Sequence, residues 1–171
     1  KNPESLAWDQ YRMYFTDRQR GAVLRLSQDG LTPISSVGME TWFKDNLRKT
    51  NLLLGTFDAI NSEYNLTLKT PPNISTTNKT VSFNEKSKGW VSFKSFIPSS
   101  GISYSGSYFT TNGSKIWEHG VSEDLSGSLI YRNKFYENAP VNSSVEVIRS
   151  RVFQTNPHIP ETLHSLKTTM E

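Results

Sequence analysis

Asn112-Gly113 sits between two short β-prone runs, Tyr108 to Thr111 and Ser114 to Trp117. Asn-Gly accepts positive φ at little cost, so this spacing marks a two-stranded hairpin. The device recurs. Ala22 to Ser27 alternates with period two, Gln28-Asp29-Gly30 turns the chain, and Leu31 to Ser35 returns, with Pro33 shortening the second strand. Tyr11 to Phe15 precedes this pair as a further strand. Leu52, Leu54 and Phe57 face Tyr64, Leu66 and Leu68 across a polar turn. Thr80 to Asn84 resumes a strand, and Ser143 to Phe153 alternates again. Hairpins joined by polar turns predict a mainly β, antiparallel fold. Strand–turn–strand units recur at roughly 40-residue spacing, the scale of a propeller blade, and a β-sandwich is the alternative.

One segment departs from this rhythm. Met39, Trp42, Phe43 and Leu47 fall on one face of a helix expected over residues 37–48. Glu40 near its start and Arg48 and Lys49 near its end suit the helix dipole. The domain reading is an all-β unit over 1–148, within a larger protein or alone, followed by a strand and arm over 149–171.

Composition narrows the chemistry. The 171 residues carry no cysteine, which excludes disulfides, thiolate metal sites and cysteine nucleophiles. Net charge is +3, far from the basic stripe of a nucleic-acid binder. No run approaches the roughly 18 apolar residues of a membrane span. Five Asn-x-Ser/Thr triplets, at Asn65, Asn73, Asn78, Asn112 and Asn142, read as chance in so Ser/Thr/Asn-rich a chain. His119, His158 and His164 have no metal-ligand spacing, and His119 reads as a solvated strand-end residue. Glu118, Glu123 and Asp124 read as solvated acids beside a turn rather than a catalytic pair. No nucleophile elbow or phosphate loop is present. The expectation is a non-enzyme without cofactor or metal.

The segment "KSKGWVSFKSFIP" places Trp90, Phe93 and Phe96 among lysines. Three readings are open: a stacking platform for nucleic acid, a sugar-binding face, or a buried strand. Val91, Phe93 and Ser95 alternate with Ser92, Lys94 and Phe96, up to an exit at Pro98. Both faces are then apolar enough to be covered. On the packing reading Trp90, Phe93, Phe96, Tyr108, Trp117, Phe135 and Tyr136 are structural. On the sugar reading Trp90, Tyr108 and Trp117 are the platforms.

"TVSFNEKSKGWVSFKSFIPSSGISYSGSYFTTNGSKIWEH", followed by "RNKFYENAPVNSSVEVI", resembles a signature of large virion proteins of crAss-like and marine tailed bacteriophages. "YFTDRQRGAVLRLSQDGLTPISSVGMETWFKDNL" and "GTFDAINSEYNLTL" are similar to the preceding segment of that family. The resemblance spans about Tyr11 to Ile148. Glu137 stands where the family usually has Gly, and the chain after Ile148 departs from the usual continuation. The resemblance implies a muzzle or nozzle component of the virion tail. Its implied partners are further copies in a homo-oligomeric ring, other phage tail proteins and, transiently and without sequence preference, phage DNA. It implies no enzyme activity and no cofactor. The alternative is a glycan-binding host-recognition module of a tail fibre.

Overall fold

The computed structural model describes residues 2–72 and 78–119, and the backbone of Val152–Phe153. Phe135 and Tyr136 lie outside them, as does most of the 149–171 arm. The fold is mainly β and antiparallel, with one α-helix among the described residues.

Among the described residues, three four-stranded sheets follow one another. The first holds β1 (Ala7–Trp8), β2 (Met13–Asp17), β3 (Ala22–Ser27) and β4 (Gly30–Pro33) in sequence order. The second holds β5 (Leu52–Asp58), β6 (Glu63–Lys69), β7 (Lys79–Asn84) and β8 (Gly89–Lys94), also in order. The third holds β9 (Ser100–Tyr104), β10 (Ser107–Asn112), β11 (Lys115–His119) and β12 (Val152–Phe153). The leading strands adjoin, β1 against β5 and β5 against β9.

The turns explain the ladders. The expected hairpin at Asn112-Gly113 is present, but Asn112 pairs with Lys115 inside the ladder, so the loop is Gly113-Ser114. Gly113 has φ of +58°, as the first loop position of a II′ turn requires. Ser105-Gly106 makes a further tight hairpin between β9 and β10, which the sequence reading passed over although Ser-Gly is a turn signal. Acidic and amide side chains cap other turns. Asp58 Oδ1 accepts the Ile60 and Asn61 amides at 2.9 and 3.2 Å, and Asn84 Oδ1 accepts those of Lys86 and Ser87 at 2.9 and 3.0 Å.

The first two sheets stack face to face. Tyr14 lies against Tyr64 and Phe57, with ring centroids 4.9 and 5.6 Å away. Around it Ala7, Val23, Leu53, Leu66, Leu68, Val81 and Phe83 form one buried cluster. Burying each large apolar side chain is worth about 1.5–3 kcal/mol. The helix α1 (Glu40–Leu47) completes this layer, with Phe43 and Leu47 buried and Met39 and Trp42 partly so. The predicted helical face is therefore the packed one. Phe43 meets Trp90 at 4.5 Å, which ties the helix to the outer strand of the second sheet.

Gly55 shows how closely the N-terminal turn (Pro3–Ser5) approaches β5. A Cβ there would overlap the Ser5 carbonyl oxygen, to which Tyr64 also donates its hydroxyl at 2.8 Å. A backbone carbonyl cannot swing aside as a side chain can. Gly55→Ala is expected to push residues 2–8 off the sheet and to lower stability by about 2–3 kcal/mol. Urea unfolding of the variant measures the loss, and faster proteolysis near residue 6 reports the displaced turn.

Candidate interaction surface

The predicted aromatic set divides. Trp90 is half-buried. Its indole N–H donates to the Ile34 carbonyl at 2.9 Å, and its ring packs on Phe43 and Phe83. Phe96, Tyr108 and Trp117 are fully buried. Phe93 is not covered: it is 58% exposed, with one edge contact to Trp42. Four of the described residues are thus packed among side chains, whereas Phe93, expected to be covered, lies open on the outermost strand of its sheet. The glycan reading fares worse, because neither Tyr108 nor Trp117 presents a ring to water and Trp90 is held among side chains.

A bulge accounts for the misread strand. Ser82 pairs with Ser92 but Phe83 pairs with Trp90, so the residue between them, Val91, slips out of register. Trp90 and Phe93 therefore share a face despite their odd spacing, and Lys94 points to the other. The strand also ends at Lys94 rather than at Pro98. The chain leaves the ladder there to carry Phe96 between the second and third sheets, where its carbonyl accepts the Thr80 hydroxyl at 2.7 Å. Lys94 forms an ion pair with Glu63 at 2.9 Å with little exposure of either, so it is not a cation on offer to phosphate.

The layer between the second and third sheets is polar, unlike the aromatic layer before it. Thr56 and the Tyr108 hydroxyl lie 2.7 Å apart, and Thr67 and Thr80 lie 2.8 Å apart. Ser82 donates to Asn65, and the Ser103 hydroxyl donates to the Phe57 carbonyl at 2.8 Å. Asn65, Thr67, Thr80 and Ser82 are all buried, which leaves no room for a glycan on Asn65 in the folded chain. Each such bond is worth about 1 kcal/mol net, yet orphaning one buried partner costs about 1–3 kcal/mol. The layer therefore favours one alignment of the two sheets.

His119 belongs to this layer, against the expectation of a solvated strand-end residue. It is buried beside Phe96 at 4.5 Å, with Nε2 2.7 Å from the Thr110 hydroxyl. Glu118 is buried too, and accepts the Ser107 hydroxyl at 2.7 Å. Sequence gave no sign of His119's burial, because a hairpin end reads as surface unless the next sheet is known; Glu118 lies on the opposite face of the third sheet, in register with Phe109.

Between the first and second sheets the polar centre is Glu85, in the turn after β7. Its carboxylate accepts the Tyr14 hydroxyl at 2.7 Å and meets Arg25 at 3.1 Å and Arg12 at 3.4 Å. Burial and this carboxylate push the Tyr14 hydroxyl well above the usual tyrosine range. Beside it opens a broad cleft of about 1030 Å³ along the leading strands, lined by Trp8, Tyr11, Arg12, Glu85, Ile102 and Ser103 among others. Trp8 and Tyr11 are the aromatic rings bare to water here. Sequence reasoning missed both because the N-terminal run carries no period. Among the described residues no group of three His, Asp or Glu side chains could hold a metal, and no helix is long and apolar enough to cross a membrane.

No family model and no curated protein matches this chain.

Desolvation, and secondarily Lys94, pull the His119 pKa down to about 4. The unfolded chain then binds a proton near pH 6.5 that the folded chain refuses until about pH 4. The stability tied to this histidine is complete above pH 6.5 and drains away as pH falls toward 4. Between pH 7 and pH 5 the loss is expected to be about 2 kcal/mol. Urea midpoints across that range should fall in the wild type and fall distinctly less in His119→Gln.

Proposed function

We propose that this chain is a structural component of a bacteriophage tail, a block of a homo-oligomeric muzzle or nozzle ring that forms or gates the DNA exit channel in the virion. The supporting observation is architectural. Three sequential meanders stand with their leading strands adjoining and are locked by buried contacts, an arrangement of the kind that propeller blades adopt about an axis. Such an arc is stiff, presents turns at its rims and leaves apolar sheet surface for a neighbour. The resemblance of residues 11–148 to tail proteins of crAss-like and marine phages points the same way.

The charge pattern suits the role. Arg12 and Arg25 are engaged by Glu85, Lys94 by Glu63, and Lys44 by Glu40. Each cation held by a carboxylate is one fewer partner for phosphate, so passing DNA meets little salt-dependent drag. Other tail proteins would cover the remaining rims.

Electron microscopy of the purified chain and of particles carrying it tests the proposal. Closed rings with an axial opening, located on the tail axis, are expected. A monomer at all concentrations, absent from the tail, contradicts it.

A further inference from the structure

We propose that the cleft along the leading strands is a binding site for a neutral saccharide chain. This stands apart from the ring reading. It also stands apart from Trp90, Tyr108 and Trp117, the rings that the sequence offered as platforms.

Two other rings line the cleft and stay bare. Trp8 ends β1 and is 66% exposed, and Tyr11 follows in the turn to β2 at 68%. A loose turn would spend binding energy on ordering such a ring. This turn is pinned. Asp9 Oδ1 accepts the Tyr11 and Arg12 amides at 2.7 Å each, and the Asp9 amide donates to the Arg12 carbonyl at 3.0 Å. Asp9 Oδ2 meets Arg12 Nη1 at 3.0 Å, and Arg12 Nε reaches Glu85 Oε2 at 3.4 Å, which fastens the turn to the second sheet. The Tyr11 backbone is therefore fixed before a ligand arrives, and binding costs little loop ordering.

The groups around the rings select the ligand. An aromatic face attracts the C–H side of a pyranose, and fixed polar groups bond its hydroxyls. Ligand clefts pair apolar walls with a few such groups. Ile102, exposed on the third sheet, supplies a further apolar wall. Carboxylates take Nη1 and Nε of Arg12, which leaves Nη2 as a donor. Gln10, Ser62 and Ser100 also line the cleft, and each can both donate and accept. The acids Asp9 and Glu85 cancel the bases Arg12 and Lys86 along its walls. A phosphate chain or an acidic sugar would meet both carboxylates while one of the two cations is already engaged. A wholly apolar partner would bury polar groups without replacing their water. At about 1030 Å³ the cleft exceeds the usual small-ligand range of about 300–1,000 Å³, so it suits several linked sugars rather than one.

Calorimetric titration of the whole chain with neutral oligosaccharides tests this. The probes are fragments of α- and β-linked glucans, mannan, galactan and chitin. At least one class is expected to bind, with affinity unchanged between about 50 and 200 mM salt. Tyr11→Ala and Trp8→Ala are each expected to weaken it about tenfold. Asp9→Ala, which keeps both rings but unpins the turn, is expected to weaken it too. Phe93→Ala, which removes a bare ring of the second sheet, leaves it unchanged. Equal urea midpoints for wild type and Tyr11→Ala separate lost binding from lost fold. No binding by any fragment at millimolar concentration overturns the proposal, as does binding that survives both ring removals. Salt-sensitive capture of single-stranded DNA in place of sugars hands the cleft to phosphate and overturns it. A Tyr11→Cys thiol shielded from reagent until unfolding assigns the cleft to the protein's own further residues and overturns it as well. None of these results bears on the ring reading, which microscopy decides.

Discussion

Tyr14 is the joint on which the arrangement turns. Its ring is clamped against Tyr64 and Phe57 of the second sheet, and its hydroxyl reaches the Glu85 carboxylate that also gathers Arg12 and Arg25. Stacked aromatic pairs add about 0.5–1.5 kcal/mol each beyond the area they bury. The carboxylate adds direction: it must sit where three donors from β2 and its approach and from β3 converge. Without it, Arg25 would keep a largely buried charge with no counterion, which is worse than never having had the pair. Apolar contact thus supplies most of the adhesion between these sheets, and the ion cluster selects the angle.

The second joint adds many more buried hydrogen bonds to its aromatic contacts. Between the second and third sheets threonines, serines, asparagine and a histidine are buried alongside Phe96, Tyr108 and Trp117. Hydrogen bonds there contribute modestly when made and cost heavily when missed, so the layer tolerates little sliding. One chain therefore uses mainly aromatic packing on one side of its middle sheet and aromatic packing with a dense set of hydrogen bonds on the other.

Strand identity was largely legible in the chain. Period-two runs located β3, β5, β6, β7, β10 and β11, and the i, i+3, i+4, i+8 pattern located the helix and its packed face. What escaped reading was relational. The bulge at Val91 reverses the parity of Trp90 against Lys94, and a bulge is a property of a pair of strands, not of one. His119 looks like a hairpin-end residue until the second sheet covers it. Trp8 and Tyr11 stood in a run without period. Sequence left three readings of the aromatic segment open and could not say which of its rings stay bare.

The central claim is that buried joints make the three sheets one mechanical body. Native-state hydrogen exchange in low denaturant tests this most directly. The account predicts that the slowest amides of the first, second and third sheets open together, with one free energy and one denaturant dependence. If the first or third sheet exchanges through its own opening, at distinctly lower free energy than the second, the sheets are separate units and the claim fails.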